Sequence, residues 1–445
     1  MHATSSPPTL DPALASKVVW RLAPLLILMY LAAQIDRNNV GYAALTMNRS
    51  LGLAPSAFGL AAGLFYVGYV LLEVPSNLMM YRFGARRWLT RILLTWGVIA
   101  SLTAFVQHAG HLYILRFLLG LAEAGFYPGI VFYMTCWLPR RERVWLQSLF
   151  QLSIPLGGVL GAPISAFLIA HVSLAGFSGW RLMLFLEGLP AIVLASVVFF
   201  VLRDRPDDAP WLTAGEREQL NTALEAERGP THRLGLRGTL GVLCDRRVLG
   251  FGLVFFGINS GLVALGYFLP QIIAGFSERF ATHYAVTDIG MITAIPYAIA
   301  AVAMLCWGRM ARATGVRGWH VAVPAALGAV AIASALFLSS PYQIMAAFTV
   351  GAMGIFCPIA SFWQLPSRFL SGSAAAAGFG LINSMGTMAG FVGPFATGWV
   401  RELTGSYRLA MLGVAAVMML SAITVMLMTR NMSSAATAPT LEGAS

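Results

Sequence analysis

Charge is what this sequence has least of. Asp, Glu, Lys and Arg together make up 11% of its 445 residues, against roughly 25% in a soluble globular chain. A soluble protein of this length could not cover its surface with so few. That excludes an ordinary cytosolic enzyme, a disordered chain and a coiled coil. Cysteine is scarce too: Cys136, Cys244, Cys306 and Cys357 stand far apart with no CxxC pair, which excludes a disulfide scaffold and a thiolate zinc site. The 7 histidines show no HExxH or similar ligand spacing, so no metal is expected, and neither is a cofactor. No nucleophile constellation argues for an enzyme. In abundance instead are hydrophobic residues, at 58%. The chain reads as a polytopic membrane protein.

A membrane-crossing helix needs roughly 20 mostly apolar residues. Runs of that kind lie near 22–45, 57–80, 88–106, 111–138, 144–170 and 181–202. A second set lies near 248–274, 286–308, 319–339, 341–366, 374–400 and 407–429. Six and six predict an all-α protein with 12 transmembrane helices in two six-helix bundles, 22–202 and 248–430. Residues 1–21 and 431–445 are expected to be tails and 203–247 a linker. The start MHATSSPPTLDPALASKVVW lacks a basic head and a small-residue cleavage site, so no removable signal peptide is expected.

Lys and Arg set the orientation because they resist translocation. With both termini cytoplasmic, the inner side holds Lys17, Arg21, Arg82, Arg86, Arg87, Arg91, Arg140, Arg141 and Arg143. To these the linker adds Arg203, Arg205, Arg217, Arg228, Arg233, Arg237, Arg246 and Arg247, and the second half adds Arg309, Arg312, Arg317, Arg368 and Arg430. The outer side has Arg49, Arg181, Arg279, Arg401 and Arg408, while Arg37 and Arg116 fall inside spans. The imbalance places both termini in the cytoplasm. It also accounts for the net charge of +11, since these residues sit in short loops beside apolar spans; no nucleic-acid partner is expected.

The linker segment RDRPDDAPWLTAGEREQLNTALEAERGPTHRLGLRGTLGVLCDRR has Pro and Gly punctuation and an amphipathic stretch, AGEREQLNTALEAER. It reads as a solvated linker with a short surface helix and no catalytic pattern. The halves echo one another: RFGARR (82–87) follows the second span and GRMARATGVR (308–317) the eighth. Each sets a Gly among arginines on a tight turn. Six helices, a linker and six helices with this turn chemistry resemble the major facilitator superfamily, in which two bundles rock about a midplane site.

Further segments narrow the resemblance. They are QIDRNNVGYA (34–43), EVPSNLMMYRFGARRW (73–88), RFLLGLAEAGFYPGIVFYMTCW (116–137), YFLPQII (267–273) and FWQLPSRFLSGSAAAAGFGLINSMGTMAGFVGP (362–394). Together they resemble the anion:cation symporter family, which includes tartrate, phthalate, hydroxyphenylacetate and sugar-acid transporters. The resemblance implies proton-driven uptake of a small organic anion across the inner membrane, by a multi-pass chain expected to work as a monomer. There are departures. Tyr81 stands where the superfamily's loop motif usually has Asp, Phe268 replaces a Trp, and Val263 replaces a Tyr near the expected substrate site.

Six charges lie in apolar context: Asp36, Glu73, Glu123, Glu187, Arg37 and Arg116. Each costs about 2.5–3.5 kcal/mol at a helix centre on insertion scales, so each needs a use or a partner. A guanidinium suits carboxylate capture, and Arg37 is the candidate for the substrate carboxylate; an interhelical ion pair is the alternative. Arg116 and Glu123 are seven residues apart and share a helix face. In the resembled family an Asp at the Asp36 position and a Glu at the Glu123 position carry the coupled proton. That implies proton sites at Asp36 and Glu123, with Arg116 tuning the local field. A static Arg116–Glu123 or Arg116–Asp36 lock is the alternative. Glu73 and Glu187 read as gate or packing pairs with loop arginines.

Tyr66 and Tyr69 share a face of the second helix, and a hydroxyl there can reach a ligand; by family position Tyr69 is the better candidate. Trp363 and Asn383 match an aromatic wall and an amide donor in the family. Asn259 and Gln151 or Ser153 are weaker candidates for the lining. The fifth span reads PLGGVLGAPISAF (155–167), a poor match to the glycine motif of superfamily antiporters, which favours import. The expected function is therefore proton-coupled import of a carboxylate such as tartrate, a sugar acid or an aromatic acid. Proton-antiport efflux of an amphipathic compound and a non-transporting anion sensor are the alternatives.

Overall fold

The computed structural model describes residues 10–173, 176–227, 241–280, 283–370 and 372–435. Arg228, Arg233 and Arg237 of the linker, residues 1–9 of the first expected tail and 436–445 of the second lie outside the described residues. Within them the chain is helical throughout, with no β-strand.

The first half runs through α1 (Pro12–Ser50), α2 (Pro55–Phe83), α3 (Ala85–Leu102), α4 (Ala109–Glu123), α5 (Phe126–Thr135), α6 (Arg140–Gln151), α7 (Ser153–His171) and α8 (Gly179–Val201). The linker carries α9 (Ala214–Glu227). The second half has α10 (Arg246–Ala274), a short α11 (Phe276–Phe280), α12 (Val286–Thr314), α13 (Trp319–Ser334), α14 (Pro341–Phe362), α15 (Gly372–Thr404) and α16 (Arg408–Ala435). Ten stretches among the described residues are helices long and apolar enough to cross a membrane. The run near 319–339 gives the 16-residue apolar α13, and the run near 374–400 falls in the 33-residue α15.

The sequence sets these limits locally. Asp11 caps α1, its side chain accepting from the Ala13 amide at 3.0 Å, and Pro12 occupies the first helical position, where its missing N–H costs nothing. The run near 111–138, expected as one span, is two helices. Ala124 leaves the helix at ψ 133° and Gly125 turns at φ +82°, a conformation that glycine adopts without strain. A side chain at Gly125 would also collide with Ser76. The echoed basic turns share a backbone form: Gly84 and Gly315 stand at φ +83° and +74°.

The linker is more tightly held than a solvated connector. Trp211 stacks on Trp137, ring centroids 5.6 Å apart, and Leu212, Leu220 and Leu224 are buried. Asp204 accepts from the Arg86 amide at 2.8 Å at the start of α3, and Lys17 pairs with Glu216 at 2.7 Å. Polar pairing and apolar burial together fasten this segment to the arginine-rich end of the first half.

Helices α1 to α8 pack on one another, as do α10 to α16, but α2 and α7 each make their most extensive contact with the other half. Across the divide α1 meets α10, α2 meets α15 and α7 meets α12. The α2–α15 contact is backbone on backbone at the arginine-poor end: a side chain at Gly59 would collide with the Pro394 carbonyl, and one at Gly398 with the Pro55 carbonyl. Glu402 also accepts from the Ser56 amide there, at 3.1 Å. Gly398→Leu is therefore expected to hold that end apart. The check is labelling of Asn48→Cys, in the small cavity beneath this contact, by an impermeant maleimide. Labelling should rise several-fold over the Gly398 background, and unchanged labelling in folded protein would refute the seal.

Candidate functional site: a central cavity behind a buried ion pair

Where the two halves meet, a cavity opens among α1, α2, α5, α6, α7, α10, α12, α14 and α15. It gathers all seven residues expected to line a substrate site: Arg37, Tyr66, Tyr69, Gln151, Asn259, Trp363 and Asn383. Val263 lines it as well. Ser153 does not; it is fully buried and donates to the Ile27 carbonyl at 3.3 Å. A second cavity shares Gln151, Ile359 and Trp363 with the first and is bordered by Arg140, Arg312 and Arg368. The central cavity thus continues toward the arginine-rich end.

Arg37 is the only Lys or Arg in the lining among the described residues, and it is bonded. Its Nη2 lies 2.6 Å and its Nε 2.8 Å from Oε1 of Glu123. Both contacts fall on one carboxylate oxygen; Oε2 of Glu123 is buried without a partner. The pair is asymmetric, for the Glu123 side chain is 0% exposed and that of Arg37 17%. Phe65 and Tyr69 present ring faces to the guanidinium at 5.6 and 5.2 Å, a favourable placement for a cation. The break after Glu123 ends α4 at the carboxylate. Close helix approach comes one turn earlier, at Gly120, whose missing side chain admits the Phe65 carbonyl.

Asp36, one residue before Arg37, points into the first half instead. It is 2% exposed and accepts from Trp96 Nε1 at 2.8 Å and Asn39 Nδ2 at 3.1 Å. Arg116, equally buried, donates to the Tyr267 hydroxyl at 3.2 Å, and Tyr267 donates onward to Tyr66 at 3.5 Å. Neither form of the Arg116 lock occurs; among the described residues the ion pairs are Lys17–Glu216 and Arg37–Glu123. Asp36, Glu123 and Arg116 therefore stand immediately behind the cavity wall, linked to it through Arg37 and Tyr267.

Three expectations are corrected. Glu73 pairs with no loop arginine; its Oε1 accepts from Asn383 Nδ2 at 2.6 Å, across the divide between halves. Glu187 likewise accepts from Ser165 at 2.7 Å. Both lie too deep for the loops to reach. Phe268 faces away from the cavity and packs on Phe58 and Tyr407 near the arginine-poor end, because a residue beside Tyr267 on a helix points about 100° away from it. The sequence reading also missed lining residues, among them Tyr30, Gln34, Asn38, Tyr127, Tyr267 and Tyr297. Gln34, Asn38, Tyr127 and Tyr267 sit inside the segments that carry the resemblance. Tyr30 and Tyr297 lie in apolar runs with no local mark, and only tertiary packing brings them here.

A cavity between two helical halves, met by the exposed side of a buried ion pair, is the arrangement of a solute carrier. Residues 26–394 match the Major Facilitator Superfamily. A protein of Agrobacterium vitis whose name assigns it to tartrate transport is 43% identical over 425 residues, covering 95% of this chain and 92% of that one. A quinolone resistance transporter of Acinetobacter baumannii is 38% identical over 406 residues, covering 91% and 92%. A crystal structure of a bacterial homologue of the human lysosomal transporter Spinster, inward-facing and unoccupied, superposes with TM-score 0.74 at 16% identity, covering 96% of this chain and all of the other. The chain belongs to the Major Facilitator Superfamily, and it is a multi-pass membrane transporter and not an enzyme.

Removing one partner of a buried pair leaves an uncompensated charge, at a cost of about 3–5 kcal/mol. Arg37→Met should accordingly lower the thermal midpoint of the purified protein sharply. Adding Glu123→Gln to it should recover most of the loss. Equal midpoints for the single and double variants would show that the pair carries no such energy.

Proposed function

We propose that the protein is a proton-coupled importer of a small organic anion, working by alternating access. The observation that carries this reading is the Arg37–Glu123 pair, in which the cation reaches the cavity and the carboxylate does not. Arg37 is the group a substrate carboxylate would seek, and Glu123 already occupies it. A carboxylate arriving from the cavity takes Arg37 when Glu123 is neutralised by a proton. Proton and substrate then bind together, which is the requirement for symport. Asp36 serves as a second proton site, with Arg116 supplying the nearby positive charge. Around Arg37, Tyr66, Tyr69, Gln151, Asn259 and Asn383 offer hydroxyl and amide groups to an oxygen-rich anion, and Trp363 offers a wall. The name of the Agrobacterium vitis relative agrees with a hydroxy acid.

In this reading twelve spans form two six-helix bundles, residues 22–202 and 248–430, with 203–247 as the linker between them. Both termini are cytoplasmic, the membrane is the inner membrane, and the working unit is a monomer. The cavity then opens to the cytoplasm, and the α2–α15 contact closes the outside. The efflux alternative draws on the quinolone resistance relative. It predicts lower cell content and raised tolerance of an amphipathic drug, whereas import predicts uptake.

External pH is recorded in weakly buffered, energy-depleted cells on adding tartrate, a sugar acid, phthalate or hydroxyphenylacetate. Alkalinisation by one of them, absent in Arg37→Ala, is the expected outcome. No response from any, with expression verified, would reject the symport reading. Glu123→Gln is expected to keep exchange of that anion but to lose accumulation against a gradient. Its binding should also lose the rise of up to about tenfold per pH unit of acidification that one linked proton gives. Wild-type accumulation by Glu123→Gln would remove Glu123 from the coupling.

A further inference from the structure

Asn383 gives an N–H to a carboxylate that lies outside the cavity it lines. Its Nδ2 stands 2.6 Å from Oε1 of Glu73, at the short end expected when the acceptor is ionised. Glu73 is 6% exposed, is absent from the lining, and has its Oε2 buried without a partner. Among the described residues no Lys or Arg forms an ion pair with it. An ionised carboxylate only accepts, so the Asn383 amide is turned with its NH2 toward Glu73 and its carbonyl oxygen away from it.

The cavity therefore has two unlike poles. Arg37 is the one charged residue in its lining among the described residues. Arg116, the other cation of this region, is 2% exposed, is not in the lining and donates to Tyr267. Tyr66, Tyr69 and Glu73 follow one another at spacings of three and four along α2, so they share a face. Tyr69 presents its ring to Arg37, and Glu73 lies one turn further on, about 6 Å along the helix. A small acid held at Arg37 by its carboxylate reaches past Tyr69 toward Asn383. A hydroxyl there can donate to the Asn383 carbonyl oxygen. A second carboxylate there has no hydrogen to give and no cation to meet. It would also stand one amide group away from Glu73, where like charges repel.

We propose that Glu73 determines specificity: by orienting Asn383 it makes the pole opposite Arg37 accept a hydroxyl group and reject a second carboxylate. The preferred substrate is then a hydroxylated monocarboxylate, and the diacid of the same skeleton is excluded. Glu73 acts through Asn383 and through its own charge without touching the solute, so it is a positioning residue. This rests on the organic-anion reading of the cavity and is independent of proton coupling.

The test is titration calorimetry of the purified full-length protein with acids that differ at one end. The pairs are gluconate with glucarate, threonate with tartrate, and para-hydroxyphenylacetate with para-carboxyphenylacetate. In any pair that binds, the monoacid is expected to be tighter by on the order of tenfold or more. Glu73→Gln keeps the shape, removes the charge and can turn either amide group to Asn383. Its ratio of monoacid to diacid affinity should fall several-fold, with the thermal midpoint reporting that the variant is folded. Should it not fold, Thr387→Lys decides the matter. It sets a cation in the lining one turn from Asn383 and should raise diacid affinity several-fold; no gain would overturn the proposal. Tighter binding of a diacid to the wild type, an unchanged ratio in folded Glu73→Gln, or no binding of any of the six acids would also overturn it. Monoacid binding without alkalinisation in the cell assay would reject symport and leave this selectivity standing. Alkalinisation by phthalate alone, with none of the six acids bound, would do the reverse.

Discussion

A cation in an apolar bundle must be neutralised where it stands, and the rest of this site follows from how Arg37 meets that requirement. Its charge is met by Glu123 on one side and by the faces of Phe65 and Tyr69 on another. Because Glu123 is wholly enclosed and Arg37 is not, one end of the pair is open to exchange and the other is fixed. Desolvation makes ions inside a bundle costly when unpaired, so any anion that displaces Glu123 from Arg37 requires that Glu123 lose its charge. In the proposed symport, coupling between substrate and proton is therefore a consequence of burial, with no separate linking device.

The same economy runs through the other buried polar groups. Asp36 is satisfied by neutral donors, Trp96 and Asn39. Glu73 leans on Asn383 from the opposite half, and Arg116 on Tyr267. The last two bonds join the halves through side chains at the cavity, and rearrangement of the halves must break and replace them. At the arginine-poor end the halves meet mainly through backbone around Gly59 and Gly398, with Glu402 accepting from the Ser56 amide beside it.

Much of this was legible in the sequence because hydrophobic runs and basic loops are strong, local signals. The helices lie where the apolar runs fall, and charged residues of the DRNN and AEAG segments come together as the Arg37–Glu123 pair. Partnerships were less legible. Arg116 and Glu123 share a helix face, yet the guanidinium that reaches Glu123 belongs to α1, since side-chain length and helix crossing decide contact and sequence spacing does not. Glu73 and Glu187 lie near arginines in sequence, but depth in the bundle separates them from the loops. The break at Gly125 was hidden because a glycine between helical stretches is equally compatible with a close helix crossing. The linker's docking through Trp211 depends on a partner, Trp137, at the far end of another span.

That break has an electrostatic consequence. Because α4 ends at Glu123, its last carbonyls lack intrahelical partners, and the aligned peptide dipoles of its turns place partial negative charge at that terminus. Arg37 is thus drawn by a helix end as well as by a carboxylate. Protonating Glu123 cancels one attraction and leaves the other. In the proposed exchange the guanidinium stays anchored at the cavity wall, still oriented, while its hydrogen-bonding edge passes from the protein's own carboxylate to the solute's.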